Sequence, residues 1–183
     1  MKKKKEISAT IEIPQEITFN LDKGILILNG KKGELKRDFL DPKIKLEKQE
    51  NKIKISGLKS TQREKKKVNT CAAVIKNMVK GVTEGHKYLL KICSGHFPMN
   101  VSVNKDQLVI KNFFGEKTPR TLNIKQGTSI KVENELVTIE GIDKDICGEM
   151  ASDIEQLTKR SNFDPRIFQD GIYIINKDGK EIK

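Results

Sequence analysis

Residues 129–141 read SIKVENELVTIEG, and residues 43–57 read KIKLEKQENKIKISG. In each, two runs alternate apolar and polar residues, the period of a half-buried strand. The runs flank a polar break, Glu133 to Glu135 in one and Gln49 to Asn51 in the other. Both stretches are read as β-hairpins. Their matching positions, Ile53 and Val137, Ile55 and Ile139, Gly57 and Gly141, lie 84 residues apart. Working outward, Pro14 and Pro98, Ile17 and Val101, and Phe19 and Val103 keep that offset. The pair Gly33-Glu34 and Gly115-Glu116 lies 82 apart, so two loops are expected to differ in length by two. Ala72 and Ala151, and Ile75 and Ile154, lie 79 apart. So many ordered matches between elements of one type make an internal duplication.

The rest of the chain fits that frame. Residues 7–13, ISATIEI, alternate and stop at Pro14. Ile17, Phe19 and Leu21 alternate again, Asp22-Lys23-Gly24 turns, and Ile25 to Leu28 return as the next strand. Gly30 and Gly33 bracket a second turn. Residues 58–67 are polar and basic, without strand character, and a helix follows with Val68, Ala72, Ile75, Val79 and Val82 on one face. The second copy repeats the series through Leu90 and Ile92, Val101 and Val103, and Leu108 to Ile110. Gly115 turns, and a helix carries Ile146, Met150, Ile154 and Leu157 on one face. The predicted fold class is α+β. It is a tandem duplication of two similar small domains, residues 1–84 and 85–183, each an antiparallel-rich sheet packed with one main helix. A tail beyond the second helix has no equivalent in the first copy. It is read either as docking on a partner or as packing on its own domain.

Bulk numbers narrow the function. With 183 residues, 36% hydrophobic and 33% charged, the chain suits two small cores and is too regularly patterned for disorder. No apolar run approaches the ~20 residues of a membrane span, and the lysine-rich start lacks a secretory pattern. A cytoplasmic location is expected. Cys71, Cys93 and Cys147 match no zinc spacing and are read as small core residues. His86 and His96 are read as surface or packing residues, and Asp170-Gly171 as turn chemistry. Phosphate-binding loops, nucleophile elbows and paired metal-ligand histidines are missing from the sequence. The chain is expected to be no enzyme, with no cofactor, metal or small-molecule substrate.

The formal net charge of +11 calls for a polyanion. An anionic membrane would need a basic helix with a broad apolar face, which the first helix lacks. RNA is the better partner. Residues 1–81 hold 21 basic and 10 acidic side chains, and the tip MKKKK is a candidate phosphate contact. Residues 111–131 set Lys111, Lys117, Arg120, Lys125 and Lys131 against Glu116 alone. Residues 132–155 set eight acids against Lys144, so the second domain is expected to be a dipole. Cations on glycine turns approach a phosphate backbone closely. The candidates are Lys31 and Lys32 at the first turn, Lys111, Lys117 and Arg120 at the second, and Arg160 and Arg166 in the tail. Of Phe113 and Phe114, one is expected to be buried and the other free, because neighbouring strand residues face opposite ways. Phe113 is the candidate for stacking on a base.

Several stretches carry a family likeness: Ile11 to Pro14, Gly30 to Leu35, Gly81 to Gly85, His96 to Val101, Asn112 to Lys117, and the tail Arg166 to Ile174. On these the chain resembles the family of the sixth large-subunit ribosomal protein, in its archaeal and eukaryotic form (number nine in eukaryotes). The resemblance implies two tandem α/β domains and binding of large-subunit rRNA, chiefly through the second domain. It implies a place near the sarcin–ricin loop and the stalk base, where translation factors dock, beside neighbouring ribosomal proteins. It assigns RNA contact to Lys117, Arg120 and Arg166. The rival reading is a basic RNA-binding module acting outside the ribosome.

Overall fold

A computed structural model describes residues 7–182 apart from positions 50, 60 and 165. The basic tip at residues 1–5 lies outside the described residues. The chain divides into two compact units, Met1–Gly85 and His86–Lys183.

The first unit runs β1 (Ser8–Glu12), β2 (Thr18–Asp22), β3 (Ile25–Gly30), β4 (Gly33–Asp38), β5 (Ile44–Gln49), β6 (Lys52–Gly57) and α1 (Gln62–Thr83). Its strands form two antiparallel three-stranded sheets, β1-β6-β5 and β2-β3-β4. The second unit runs β7 (His86–Cys93), β8 (Asn100–Asn104), β9 (Gln107–Lys111), β10 (Arg120–Asn123), β11 (Thr128–Glu133), β12 (Leu136–Gly141) and α2 (Lys144–Leu157), then β13 (Gly171–Lys177) and β14 (Lys180–Glu181). Its sheets are β10-β9-β8 and β11-β12-β7-β13-β14. Each unit is α+β as expected, but with two small sheets rather than one.

Strand pairing reproduces the sequence repeat. Ile44 pairs Gly57 and Leu46 pairs Ile55 in one unit, and Thr128 pairs Gly141 and Ile130 pairs Ile139 in the other. The 84-residue offset holds at all of these positions. It does not hold in the hairpin before them. Phe19 pairs Leu28, and the equivalent pair is Val101 with Ile110, so Phe19 corresponds to Val101 rather than Val103. A slip of two residues keeps every side chain on its own face, so alternation alone could not reveal it. The compensating length sits in the next connection. Six residues separate paired Leu28 and Leu35, whereas nine separate paired Ile110 and Arg120. The second loop is three residues longer there, not two.

The helices keep the 79-residue offset in their buried positions. Val68 and Ile75 of α1, and Cys147 and Ile154 of α2, are fully buried. Met78 of α1 joins that face, while Val79 is only half-buried. Helix α1 starts six positions before Val68, so most of the basic stretch 58–67 is helical. Its Gln, Arg, Glu and Lys residues are good helix formers. One unit's core is built on Leu26, Leu28, Ile53, Ile55 and the α1 face. The other centres on Leu90, Leu108, Ile110, Phe113, Val137, Ile139 and Met150. Burying a side chain of this size contributes roughly 1.5–3 kcal/mol.

The tail packs on its own unit. Strand β13 lies beside β7, from Gly171 opposite Cys93 to Lys177 opposite Tyr88, with an irregularity between Ile174 and Asn176. In the first unit β1 has one neighbour, β6.

Candidate nucleic-acid interface

The connection from β9 to β10 is built on left-handed backbone. Asn112, Phe114 and Gly115 have φ of 61°, 50° and 73°, and Phe113–Gly115 form one 3-10 turn. Non-glycine residues rarely adopt this conformation, so the surroundings must hold it. They do so from three directions. Asn112 donates its side-chain N–H to the Pro98 carbonyl at 3.1 Å. Glu116 donates its backbone N–H to the Phe113 carbonyl at 2.9 Å. Phe113 is driven into the core, 1% exposed, with its ring edge-on to Phe114 at 4.9 Å. The sequence placed these two phenylalanines on a strand. The turn instead buries Phe113 and leaves Phe114 half-buried. Phe113 has no free face for a base, which corrects the stacking expected of it.

Arg120 holds the same loop from its far end. Its guanidinium lies over the Phe113 ring, 4.3 Å from the centroid. Nε and Nη2 donate to the two Glu116 carboxylate oxygens at 2.8 and 2.7 Å. Nη1 donates to the Leu157 carbonyl at the end of α2. That fork of charge-assisted bonds uses most of the arginine's donors, and its side chain is 25% exposed. Arg120 is therefore a fastener, not the free phosphate contact expected of it. In the first unit a backbone group meets the helix end: Lys32 N–H donates to the Val82 carbonyl at 3.0 Å. The Arg120 hydrogen bonds hold the Glu116 carboxyl below its ordinary range.

Other predicted cations divide clearly. Lys111, Lys117, Arg160 and Arg166 are exposed, and none forms an ion pair among the described residues, although Arg160 lies close enough to help lower the Glu116 pKa. Lys31 is exposed but paired with Glu16 at 2.5 Å, and Lys32 is exposed beside it. Both belong to the first unit. Lys125 binds Glu149 and Asp153 on α2, at 2.8 and 2.7 Å. The expected separation of a basic and an acidic side is thus partly erased. Asp143 caps α2 by accepting the Asp145 N–H at 2.8 Å, so some of the acid does serve the helix start.

Arg160 sits between Phe114 and tail aromatics, Phe163 and Phe168, for which sequence reading gave no role. Its guanidinium carbon is 4.2 Å from the Phe163 centroid and 5.0 Å from that of Phe114. Phe163 packs edge-on to Phe168 at 5.0 Å, and Phe168 lies 5.1 Å from the His96 ring. His96 donates its backbone N–H to Asp170 at 2.9 Å, and its Nδ1 meets the other carboxylate oxygen at 2.6 Å. Burial alone would raise the Asp170 pKa, but the His96 bonds outweigh it and keep the carboxyl below its ordinary range. Asp170, expected as turn chemistry, is 4% exposed and joins two segments. The motifs around His96, Asn112 and Arg166–Asp170, far apart in sequence, meet at this one face.

Among the described residues no group of His, Cys, Asp and Glu could hold a metal. No helix among them is long and apolar enough to cross a membrane.

Two copies of one α+β unit, the second with exposed cations beside clustered aromatic rings, define a duplicated scaffold with a basic face. Each copy matches the family model of ribosomal protein L6, over residues 10–85 and 97–171. The chain is 43% identical over 173 residues to large ribosomal subunit protein uL6 of Methanosarcina mazei, covering 94% of this chain and 98% of that protein. It is 42% identical over 172 residues to the uL6 protein of Thermoplasma volcanium, covering 94% and 97%. Against the uL6 protein of Methanobrevibacter smithii it is 39% identical over 172 residues, with the same coverage. The chain belongs to the ribosomal protein L6 family, whose members are structural proteins rather than enzymes.

Proposed function

We propose that this protein is a structural component of the large ribosomal subunit, bound to large-subunit rRNA through its second unit. The binding face is the end of β9 with the loop after it, residues 111–119, and the described part of the tail within residues 158–170. The observation that carries this reading is the set of exposed cations that form no ion pair among the described residues: Lys111, Lys117, Arg160 and Arg166. Such charges call for a polyphosphate, and they stand on backbone fixed by Arg120 and the His96–Asp170 pair. Binding proceeds by neutralising phosphates and fitting the shape of folded RNA. The finer placement, near the sarcin–ricin loop and stalk base where translation factors dock, follows from the family resemblance and is part of this proposal. Neighbouring ribosomal proteins complete the surroundings.

The test compares Lys117→Glu with Arg160→Glu against Lys177→Glu with Lys180→Glu. The first pair is expected to weaken binding to deproteinised large-subunit rRNA and to lower the salt slope by about one per lost phosphate contact. Equal losses from both pairs would overturn the assigned face. Wild-type protein should sediment with large subunits and leave them only in high salt. A protein found free at low salt would favour a module acting outside the ribosome. Crosslinking on intact subunits checks the sarcin–ricin placement.

A further inference from the structure

We propose that the cleft between the end of α2 and the tail receives one unpaired nucleobase of the RNA, an inference that rests on the RNA-binding reading above. The cleft has a volume of about 280 Å³ and is lined by Phe114, Phe163, Phe168 and Tyr173, with Lys159 and Arg160 among its walls. Four of the chain's nine phenylalanine and tyrosine rings converge here. They are not all spent on the core: Phe163 is 38% exposed and Tyr173 41%. An exposed ring beside a cation is the arrangement that stacks bases and holds their backbone.

Arg160 supplies the second half of the recognition. Its guanidinium carbon lies over the Phe163 ring, 4.2 Å from the centroid, and its N–H donors have no acceptor among the described residues. A guanidinium held over a ring keeps N–H donors to offer a phosphate. The acids and the Thr158 hydroxyl of the wall are already engaged. Glu155 accepts the Ile174 N–H at 3.3 Å, Thr158 accepts the Ile172 N–H at 3.0 Å, and Asp170 holds His96. The cleft therefore offers flat apolar faces and two cations. A base with its attached phosphate matches both, whereas an acidic peptide would match only the cations.

The test uses the full chain and deproteinised large-subunit rRNA, with ultraviolet crosslinking and affinity measured side by side. Phe163→Leu keeps apolar bulk but removes the π-face, and Phe163→Trp keeps both. The leucine variant is expected to bind about 5- to 150-fold more weakly, as for loss of one base stack, at an unchanged melting temperature. The tryptophan variant should bind as wild type, and a nucleobase should crosslink to Phe163 or Tyr173. Wild-type affinity for Phe163→Leu with no crosslink in the cleft, while Lys117→Glu still weakens binding, would overturn the base site and leave the RNA face standing. Equal losses for leucine and tryptophan would reduce Phe163 to packing and overturn the base site as well. Crosslinks from the cleft to a neighbouring protein in intact subunits would also overturn it. No binding of wild type to rRNA would sink both readings.

Discussion

Arg120 and Lys117 lie three residues apart and have opposite fates, because only one has an acid and a ring within reach. Arg120→Ala leaves the Leu157 carbonyl and Glu116 without their donor and removes the stack on Phe113. It should lower stability by about 1–3 kcal/mol in chemical denaturation, while Lys117→Ala stays within about 0.5 kcal/mol. Acid should act through the same loop. Glu116 and Asp170 are both depressed below their ordinary values of 4.5 and 3.8, so the unfolded chain takes up these protons first. The stability they contribute is complete above the ordinary values and drains away as pH falls through the lower folded ones. Glu116→Gln should flatten the loss of stability below about pH 4.5, read from melting temperature against pH. Burial pushes the Cys147 thiol up to about 11, so at pH 8 it should resist alkylation until the protein unfolds. At this scale the sequence was half legible. It showed that one of Phe113 and Phe114 would be buried, but it took Phe113 as the free ring, because a strand was expected where left-handed residues make a turn. The pairing of Arg120 with Glu116, four positions away, was open to reading. Its reach to Leu157 was not, because that contact depends on where α2 ends.

Hairpins and helices were largely legible, because periods of two and three-to-four survive in a single sequence. What alternation could not see was the two-residue slip between Phe19 and Val101 or the early start of α1. Tail aromatics were missed for a related reason: Phe163 and Phe168 belong to no periodic element, and only folding brings them to Phe114. Two glycines mark close approaches inside the fold that patterning did not reveal. A Cβ on Gly141 would lie 2.8 Å from the Gly127 carbonyl and 2.6 Å from Cys147 Sγ. On Gly30 it would lie 2.7 Å from the Val82 carbonyl that ends α1. Gly30→Ala and Gly141→Ala should each cost about 1–3 kcal/mol, whereas Gly95→Ala, with nothing within 4 Å, should be near neutral. Calorimetry separates the three.

Each unit of the whole molecule has its own helix-on-sheet core. Residues 86–183 alone should therefore unfold cooperatively in denaturant, and Ile154→Ala should destabilise that fragment by about 2–5 kcal/mol. A non-cooperative fragment would show that the second core is incomplete without the first. The charge surplus of the first 81 residues, read from composition, pointed away from the face assigned here, because net charge does not register which cations are already neutralised within the fold. Strand β13 has a consequence for assembly. By pairing with β7 it anchors the segment between α2 and Gly171 at both ends, turning what would be a free tail into a closed arch. Most of the configurational freedom of that arch is surrendered during folding of the protein itself. Docking then draws on a surface already in shape, and it should proceed with a smaller entropic penalty than a dangling extension of equal charge would incur.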